Sequence, residues 1–361
     1  MSEKVVEEGE VRLEVPEGRI YDQNVFYNPE MELDRNISVC AASLEEPDKL
    51  CDALSASGVR GIRYKREGGV GDVWLNDASP DAVERIRKNC EINNVECNVT
   101  NKDAGVLLRQ NMFDYIDIDP FGSPVPFFDS VGKSIRDDGF LSITATDTSS
   151  FFGTYPRVSR RRYGRKSMKV DYNKELGLRI LISALMDSLG RYKKTFVPRL
   201  SYFHEHYAKI YGNVVKGAKE VQRNFRKFGY ISHCFDCGWR NDSLNKECPL
   251  CGSETEQVNV YLGSINTDRF CENLASRLRE RDFYDEASMV SGIHRGENIP
   301  YHYDIHYLAK KMNLETLPTD KLIEMLEEEG YEARESEFSP TAVKSGAPFE
   351  VVKRLLQSRS R

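Results

Sequence analysis

Cysteine is scarce in this chain, with nine in 361 residues. That is too few for a disulfide scaffold, and the count is odd. Long apolar runs are missing as well: no stretch of 18 apolar residues occurs, which excludes a transmembrane helix. The opening stretch, MSEKVVEEGEVRLEV, is charged throughout and lacks the apolar segment of a secretory signal. These absences predict a chain of the reducing cytoplasm, with no membrane partner. There is no G-x-G-x-x-G, which disfavours a dinucleotide pyrophosphate site, and no G-x-S-x-G elbow. His302 and His306 have i,i+4 spacing but no Glu between them. The zinc-protease pattern therefore fails, and a packed or polar surface helix is expected there.

What is present suits two or three domains: 40% hydrophobic and 30% charged residues can bury a large core under a solvated surface. The net charge of −6 argues against a nucleic-acid partner until its distribution is considered. Residues 157–227 hold 19 Lys and Arg against 5 Asp and Glu, a local charge of +14 that leaves −20 elsewhere. Such asymmetry is expected of a phosphate-binding face, although a solvated surface with distant ion-pair partners would look the same.

From residue 36 to about 146, short apolar runs (49–54, 73–75, 115–118, 140–145) alternate with helical stretches (59–66, 80–93, 105–110, 126–135). This spacing predicts a parallel sheet with helices on both faces, which binds ligands beyond the carboxyl ends of its strands. Further helices are expected at 174–189, with Leu176, Ile180, Leu181, Ala184 and Leu185 on an apolar face, and at 320–329. The first ten and last four residues read as frayed.

The strand ends carry the chemistry. The first run leads into Asp52-Ala-Leu-Ser-Ala-Ser-Gly58-Val-Arg60-Gly61, a turn of small residues at a helix N-terminus. The second ends at Asp77, placed to hold ribose hydroxyls of a nucleoside cofactor or to cap the next helix; Ser79 before Pro80 is the better cap. Asp103 precedes a helix and could accept an adenine amino group or serve as an N-cap. The third run, 115–118, leads into Asp119-Pro120-Phe121-Gly122. This resembles the Asp/Asn-Pro-Pro-Tyr/Phe element of methyltransferases that alkylate exocyclic amines, with Phe121 at the second proline position. Asp119 and the Pro120 carbonyl would accept the N–H groups of a flipped-out base, and Phe121 would stack on it.

Cys234-Phe-Asp-Cys237 and Cys248-Pro-Leu-Cys251 are two C-x₂-C knuckles, each followed by glycine. Four thiolates at this spacing predict a closed structural Zn²⁺ ribbon. Cys40, Cys51, Cys90, Cys97 and Cys271 lack partners at ligand spacing. Residues 157–169 hold seven cations, including Arg157, Arg160, Arg161 and Arg162, with Tyr163 among them as a possible base-stacking ring. This stretch follows the last strand of the pattern and should border the same sheet end as Asp119.

Longer blocks carry a family resemblance. Tyr27-Asn-Pro-Glu-Met31 with Asp34-Arg-Asn-Ile37, Asp52 to Arg63, Val73-Trp-Leu-Asn-Asp77, Ile118-Asp-Pro-Phe-Gly-Ser-Pro124 and Thr144-Ala-Thr-Asp147 are similar to those of the tRNA guanine-N2 dimethyltransferase family. So are Ile299-Pro300, Tyr303-Asp-Ile-His306 and Phe338-Ser-Pro-Thr-Ala-Val-Lys344 with Ala347-Pro348. Thr148-Ser-Ser150 and Phe151-Phe152 depart from the pattern. The resemblance implies an α/β, Rossmann-like S-adenosylmethionine-dependent methyltransferase domain over residues 1–200. It implies a second, α+β tRNA-binding domain over 201–361, in which the knuckles place a zinc ribbon at 230–256. The implied reaction is methylation of the guanine N2 amine at position 26 of tRNA. Arg35, Arg60, Asp77, Asp103 and Ala104 would contact the cofactor, with Arg63 a further contact. Asp119 would orient the amine, and Phe121 and Phe26 would sandwich the base. No obligate protein partner is implied. The residues taken alone also allow methylation of another amine, such as adenine N6, or a non-catalytic zinc-ribbon RNA-binding protein.

Overall fold

The computed structural model describes residues 3–17, 25–293 and 298–358. The chain starts with a hairpin, β1 (Glu3–Glu8) and β2 (Val11–Pro16). Alternation of Val11, Leu13 and Val15 buries one face of β2, so residues 3–10 are ordered rather than frayed, and residues 1–2 lie outside the described residues. At the other end Ser358 closes the last helix, and 359–361 lie outside the described residues.

Helices and strands then alternate: α1 (Glu32–Glu45), β3 (Lys49–Asp52), α2 (Val59–Arg66), β4 (Asp72–Asp77), α3 (Pro80–Ile92), β5 (Asn98–Asn101), α4 (Ala104–Gln110), β6 (Phe113–Ile118), α5 (Phe128–Ser134) and β7 (Ile135–Ala145). Next come α6 (Thr148–Phe151), α7 (Pro156–Tyr163), α8 (Asn173–Gly190), β8 (Lys194–His204) and β9 (Tyr207–Lys216). One seven-stranded sheet has the order β5-β4-β3-β6-β7-β9-β8, parallel from β5 to β7 and antiparallel through β9 and β8. The expected helices at 59–66 and 80–93 form there. Strand β5 was not anticipated, because Asn-Val-Thr-Asn on a sheet edge carries no apolar run. Close packing of α2 on β4 requires Gly61: a Cβ there would stand 1.7 Å from Leu75 Cδ2.

The C-terminal part comprises α9 (Ala218–Phe225), β10 (Phe228–His233), β11 (Arg240–Asn241), β12 (Glu256–Tyr261), α10 (Asp268–Arg279), α11 (Tyr284–Gly292), β13 (Tyr303–Asp304), α12 (Ile305–Met312), α13 (Thr319–Glu328), β14 (Ala333–Ser336), β15 (Ser339–Ser345) and α14 (Phe349–Gln357). Strands β11-β10-β12 and β13-β15-β14 form two small sheets. A boundary at residue 200 would cut β8; the main sheet runs on to Lys216. Helix α8 is buried nearly all round, not only on its expected apolar face. It runs between the main sheet and the ribbon strands, sharing one core with Ile231, Val258 and Val260.

The ribbon is fastened by Arg240, fully buried, which donates to Asp171 at 2.6 Å and to the His302 carbonyl at 2.7 Å, with Tyr172 and Tyr303 against its guanidinium. Removing one partner of such a pair strands a buried charge. Asp171→Ala should therefore cost about 3–5 kcal/mol in chemical denaturation. Limited proteolysis should then open the ribbon segment before the main sheet.

Candidate active site

Beyond β6 the chain turns through Asp119-Pro120-Phe121-Gly122. Gly122 has φ +91°, a left-handed conformation that glycine alone adopts freely. Its N–H donates to Thr146 Oγ1 at 2.7 Å, and Thr146 N–H returns to the Gly122 carbonyl at 3.0 Å. The loop is thus pinned to the end of β7. The rest of the Thr144–Asp147 block is equally engaged: Thr144 Oγ1 accepts from Lys209 at 2.8 Å, and Asp147 holds Arg162 and Tyr163. Phe121 is 74% exposed and meets Phe26 edge-on, with ring centroids 4.4 Å apart. No hydrogen bond among the described residues takes the Pro120 carbonyl.

One Asp119 oxygen is held by Arg60. The same guanidinium pairs with Asp34 at 2.8 Å, bonds Ser38 Oγ at 2.6 Å and lies 3.8 Å from Asp117. Lys209, fully buried on β9, reaches Asp34 at 3.3 Å. Tyr202 donates to Asp34 at 2.7 Å, and Tyr64 donates to Asp117. Burial would raise the Asp34 carboxyl, but Lys209 and Arg60 overcome it and bring it to about 2. Asp52, at the end of β3, goes the other way. Burial, reinforced by Asp117, raises it to about 7, against the pull of Arg60. One of its oxygens has no partner, nor has the buried Ser57 hydroxyl in the turn that follows. Asp34, Asp52, Asp117 and Lys209 were not singled out from sequence. Asp117 near the end of β6 and Asp119 just beyond it are neighbours in sequence, but Asp34 and Lys209 join them only through the fold.

The expected cofactor residues are placed as follows. Arg35 is clamped by Glu8, with its Nε at 2.6 Å, and by the Asn28 carbonyl. Arg63 is fully buried among Glu8, Glu67 and Asn36. Burial raises the Glu8 carboxyl, but Arg35 and Arg63 more than reverse this. Asp77 accepts the Ala56 N–H and the Ser79 N–H, both at 2.9 Å. The first contact holds Ala56 at φ +49° in the turn after β3. Ser79 caps α3 as expected. Asp103 caps α4, accepting from Val106 N at 3.0 Å, and its side chain stays at the surface beside buried Ala104.

The basic segment borders this sheet end, as expected. Arg157, Arg160, Arg161 and Arg162 are exposed on α7, and among the described residues only Arg162 of the four has an ion-pair partner, Asp147 at 2.7 Å. Tyr163 is a correction: it is buried against Phe151 and donates to Asp147 at 2.5 Å, so it cannot stack on a base. Phe151 and Phe152, the residues that depart from the family pattern, lie in the same core. Several counted cations are not surface charges either. Lys209 and Arg179 are fully buried, and Lys194 donates to the Gly132 and Ile135 carbonyls.

The four ribbon cysteines converge. Cys234 and Cys251 sulfurs lie 3.5 Å apart, as do those of Cys237 and Cys248, and all four ligand atoms fall within 4.8 Å of one another. Gly238 and Gly252 take φ +85° and +72° to close the knuckles. His302 is buried, between the Asp171 carbonyl and Ser336, whereas His306 is exposed on α12, so they form no pair. Among the described residues, no helix is long and apolar enough to cross a membrane.

The two displaced carboxyls give opposite pH signatures. Asp34, lowered in the fold, stabilises it above about pH 4, and this is lost as pH falls towards 2. Asp52, raised in the fold, costs stability as pH climbs from about 4 to about 7, by up to about 4 kcal/mol. Asp52→Asn should therefore raise Tm at pH 8 and leave it nearly unchanged at pH 4.5. An equal shift at both pH values would contradict the assignment.

A family model described as N2,N2-dimethylguanosine tRNA methyltransferase matches residues 9–357. A tRNA (guanine(26)-N(2))-dimethyltransferase of Methanosarcina barkeri is 36% identical over 360 residues, covering 93% of this chain and 92% of that protein. Its namesake from Methanobrevibacter smithii is 35% identical over 379 residues, covering 99% and 98%. Among solved structures, Trm1 from Pyrococcus horikoshii, in complex with S-adenosyl-L-methionine, aligns with a TM-score of 0.88 at 29% identity, covering 97% of this chain and 99% of that one. With sequence and fold agreeing along nearly its whole length, and with the pinned Asp-Pro-Phe loop presenting an exposed Phe121 beside Phe26, the chain belongs to the N2,N2-dimethylguanosine tRNA methyltransferase family.

Proposed function

We propose that the protein transfers two methyl groups from S-adenosylmethionine to the N2 amine of guanine 26 in tRNA, with Asp119 and Pro120 acting on the amine. The observation that carries this reading is the end of β6. There Asp119 has one oxygen fixed by Arg60, the Pro120 carbonyl takes no hydrogen bond among the described residues, and Phe121 stands exposed beside Phe26. The lone pair of a nucleobase amine is delocalised into the ring. Asp119 accepts one N–H through its other oxygen and Pro120 accepts the second, which draws the lone pair out of conjugation. The target base must leave its stack to arrive here. Phe26 and Phe121, now edge-on, part to take it between them. Each transfer leaves S-adenosylhomocysteine as the thioether and releases one amine proton, passed through the Asp119 carboxylate to water. After the first the amine keeps one N–H, so the second transfer runs with one of these two acceptors unfilled.

The turn after β3 fits a polar cofactor. Asp52 and Ser57 each leave a buried oxygen without a partner there, and Asp77 stands at the neighbouring strand end. Arg35, Arg60, Asp77, Asp103 and Ala104 would line that site. Bound S-adenosylmethionine supplies an electrophilic methyl on sulfur, which passes to nitrogen as the carbon–sulfur bond breaks. The exposed arginines of α7, Arg157, Arg160, Arg161 and Arg162, would grip phosphates of the tRNA. Sulfur spacing and knuckle geometry support Zn²⁺ on Cys234, Cys237, Cys248 and Cys251, in a closed structural role. The cytoplasm, where thiols stay reduced, suits these ligands.

Unmodified tRNA transcript and methyl-labelled S-adenosylmethionine should yield labelled N2-methyl- and N2,N2-dimethylguanosine on nucleoside digestion. Asp119→Asn should lower kcat by roughly 100-fold or more, and label in adenosine would refute the assigned target. Elemental analysis should find one zinc per chain, and Cys248→Ser should lose it together with several degrees of Tm. A metal-free wild type of unchanged Tm would contradict the zinc ribbon.

A further inference from the structure

The sheet has a second charged edge, far from Asp119. Strand β9 runs antiparallel to β7, with Ala208 opposite Ala145 and Val214 opposite Gly139. Lys216, at the end of β9, therefore lies at the edge opposite the catalytic loop. Lys194 pairs with it in register, Gly217 N–H donates to the Lys193 carbonyl at 2.7 Å, and α9 follows directly. Arg191, Lys193, Lys216, Lys219, Arg226 and Lys227 gather here. All six are exposed, and none has an ion-pair partner among the described residues. Of the acids beside them, Glu220 pairs with Arg223, while Asp137 accepts the Lys216 N–H at 2.7 Å and keeps its charge. Six unpaired cations outweigh it and leave a positive local field on a protein of net charge −6.

This edge is joined to α7 across the ribbon strands. Arg165 donates to the Asn259 carbonyl on β12 at 2.7 Å, and its guanidinium lies 5.5 Å from the Phe228 ring on β10. Phe228 stacks on Phe225 of α9, with centroids 5.1 Å apart and planes 16° apart. Phe225 and Tyr230 are exposed along this line. Cations with interleaved aromatic rings suit a nucleic-acid backbone and its unstacked bases.

We propose that the α9 edge is a second phosphate-binding surface, which holds an arm of the tRNA remote from the target guanine. The inference rests on the tRNA methyltransferase reading above. The ten residues of β9 set the two edges roughly 34 Å apart, and a folded tRNA is longer than that.

The test is a salt series of equilibrium binding to unmodified tRNA transcript, using K219E/R226E/K227E and the charge-matched control K4E/R87E/K310E on other surfaces. The α9 variant should bind roughly 10- to 100-fold more weakly, with the slope of log affinity against log salt reduced by about 2–3. Its kcat at saturating tRNA should be unchanged, as should its S-adenosylmethionine binding and Tm. The neutral set K219A/R226A/K227A should move affinity in the same direction by less. A short hairpin presenting the target guanine alone should not distinguish wild type from variant. Unchanged affinity and slope, or an equal loss in the control, would overturn the inference. Failure of the wild type to bind or methylate any tRNA would overturn the underlying reading instead.

Discussion

The contact on which the site depends is the Arg60 guanidinium, buried among Asp34, Asp117 and Asp119. A charge so placed persists only if carboxylates surround it, and those carboxylates must come from different parts of the chain. Asp34 is on α1, Asp117 on β6 and Asp119 in the loop after it. Lys209 on antiparallel β9 supplies the second cation. The cluster ties two helices, α1 and α2, two non-adjacent strands and the loop after β6 together. Its balance is incomplete at Asp52, where burial, reinforced by the charge of Asp117, pushes a carboxyl to about 7. That residual strain sits beside the turn of the proposed cofactor site.

A second ring of contacts holds the loop from outside. The Thr144–Asp147 block gives one residue to Lys209, one to Gly122 and one to α7. Helix α7, with its exposed arginines, is thus set against the loop it serves. Asp171 and Arg240 extend the same framework into the ribbon, and Lys344 extends it into the last domain through Glu175 at 3.0 Å.

The parallel sheet was legible because apolar runs and helical periods alternate at crossover spacing. Asp119, Pro120 and Phe121 were legible because carboxylate, proline and aromatic follow a strand directly. The cysteine knuckles were legible from spacing alone. What escaped was decided by burial. Tyr163 and Lys209 sit in a basic stretch and look like RNA-facing groups, but both face inward. Arg35 reads as a cofactor contact in the sequence, but its clamp by Glu8 forms only when the hairpin folds onto α1. The hairpin itself looked frayed because half its residues are charged, yet Glu14 anchors it to α3, with Arg85 at 3.3 Å and Lys88 at 2.6 Å.

On the proposed reading of Phe26 and Phe121 as the pair that takes the base, their edge-on contact would shut that site when nothing fills it. Opening it would forfeit an aromatic pair worth about 0.5–1.5 kcal/mol. A lone guanine, with few other contacts to offer, would bear that whole cost itself. A guanine carried by a docked RNA would not, because phosphate contacts elsewhere on the molecule would supply the difference. The closed pair would then filter against small nucleotides and tie admission of the base to recognition of the larger molecule that bears it.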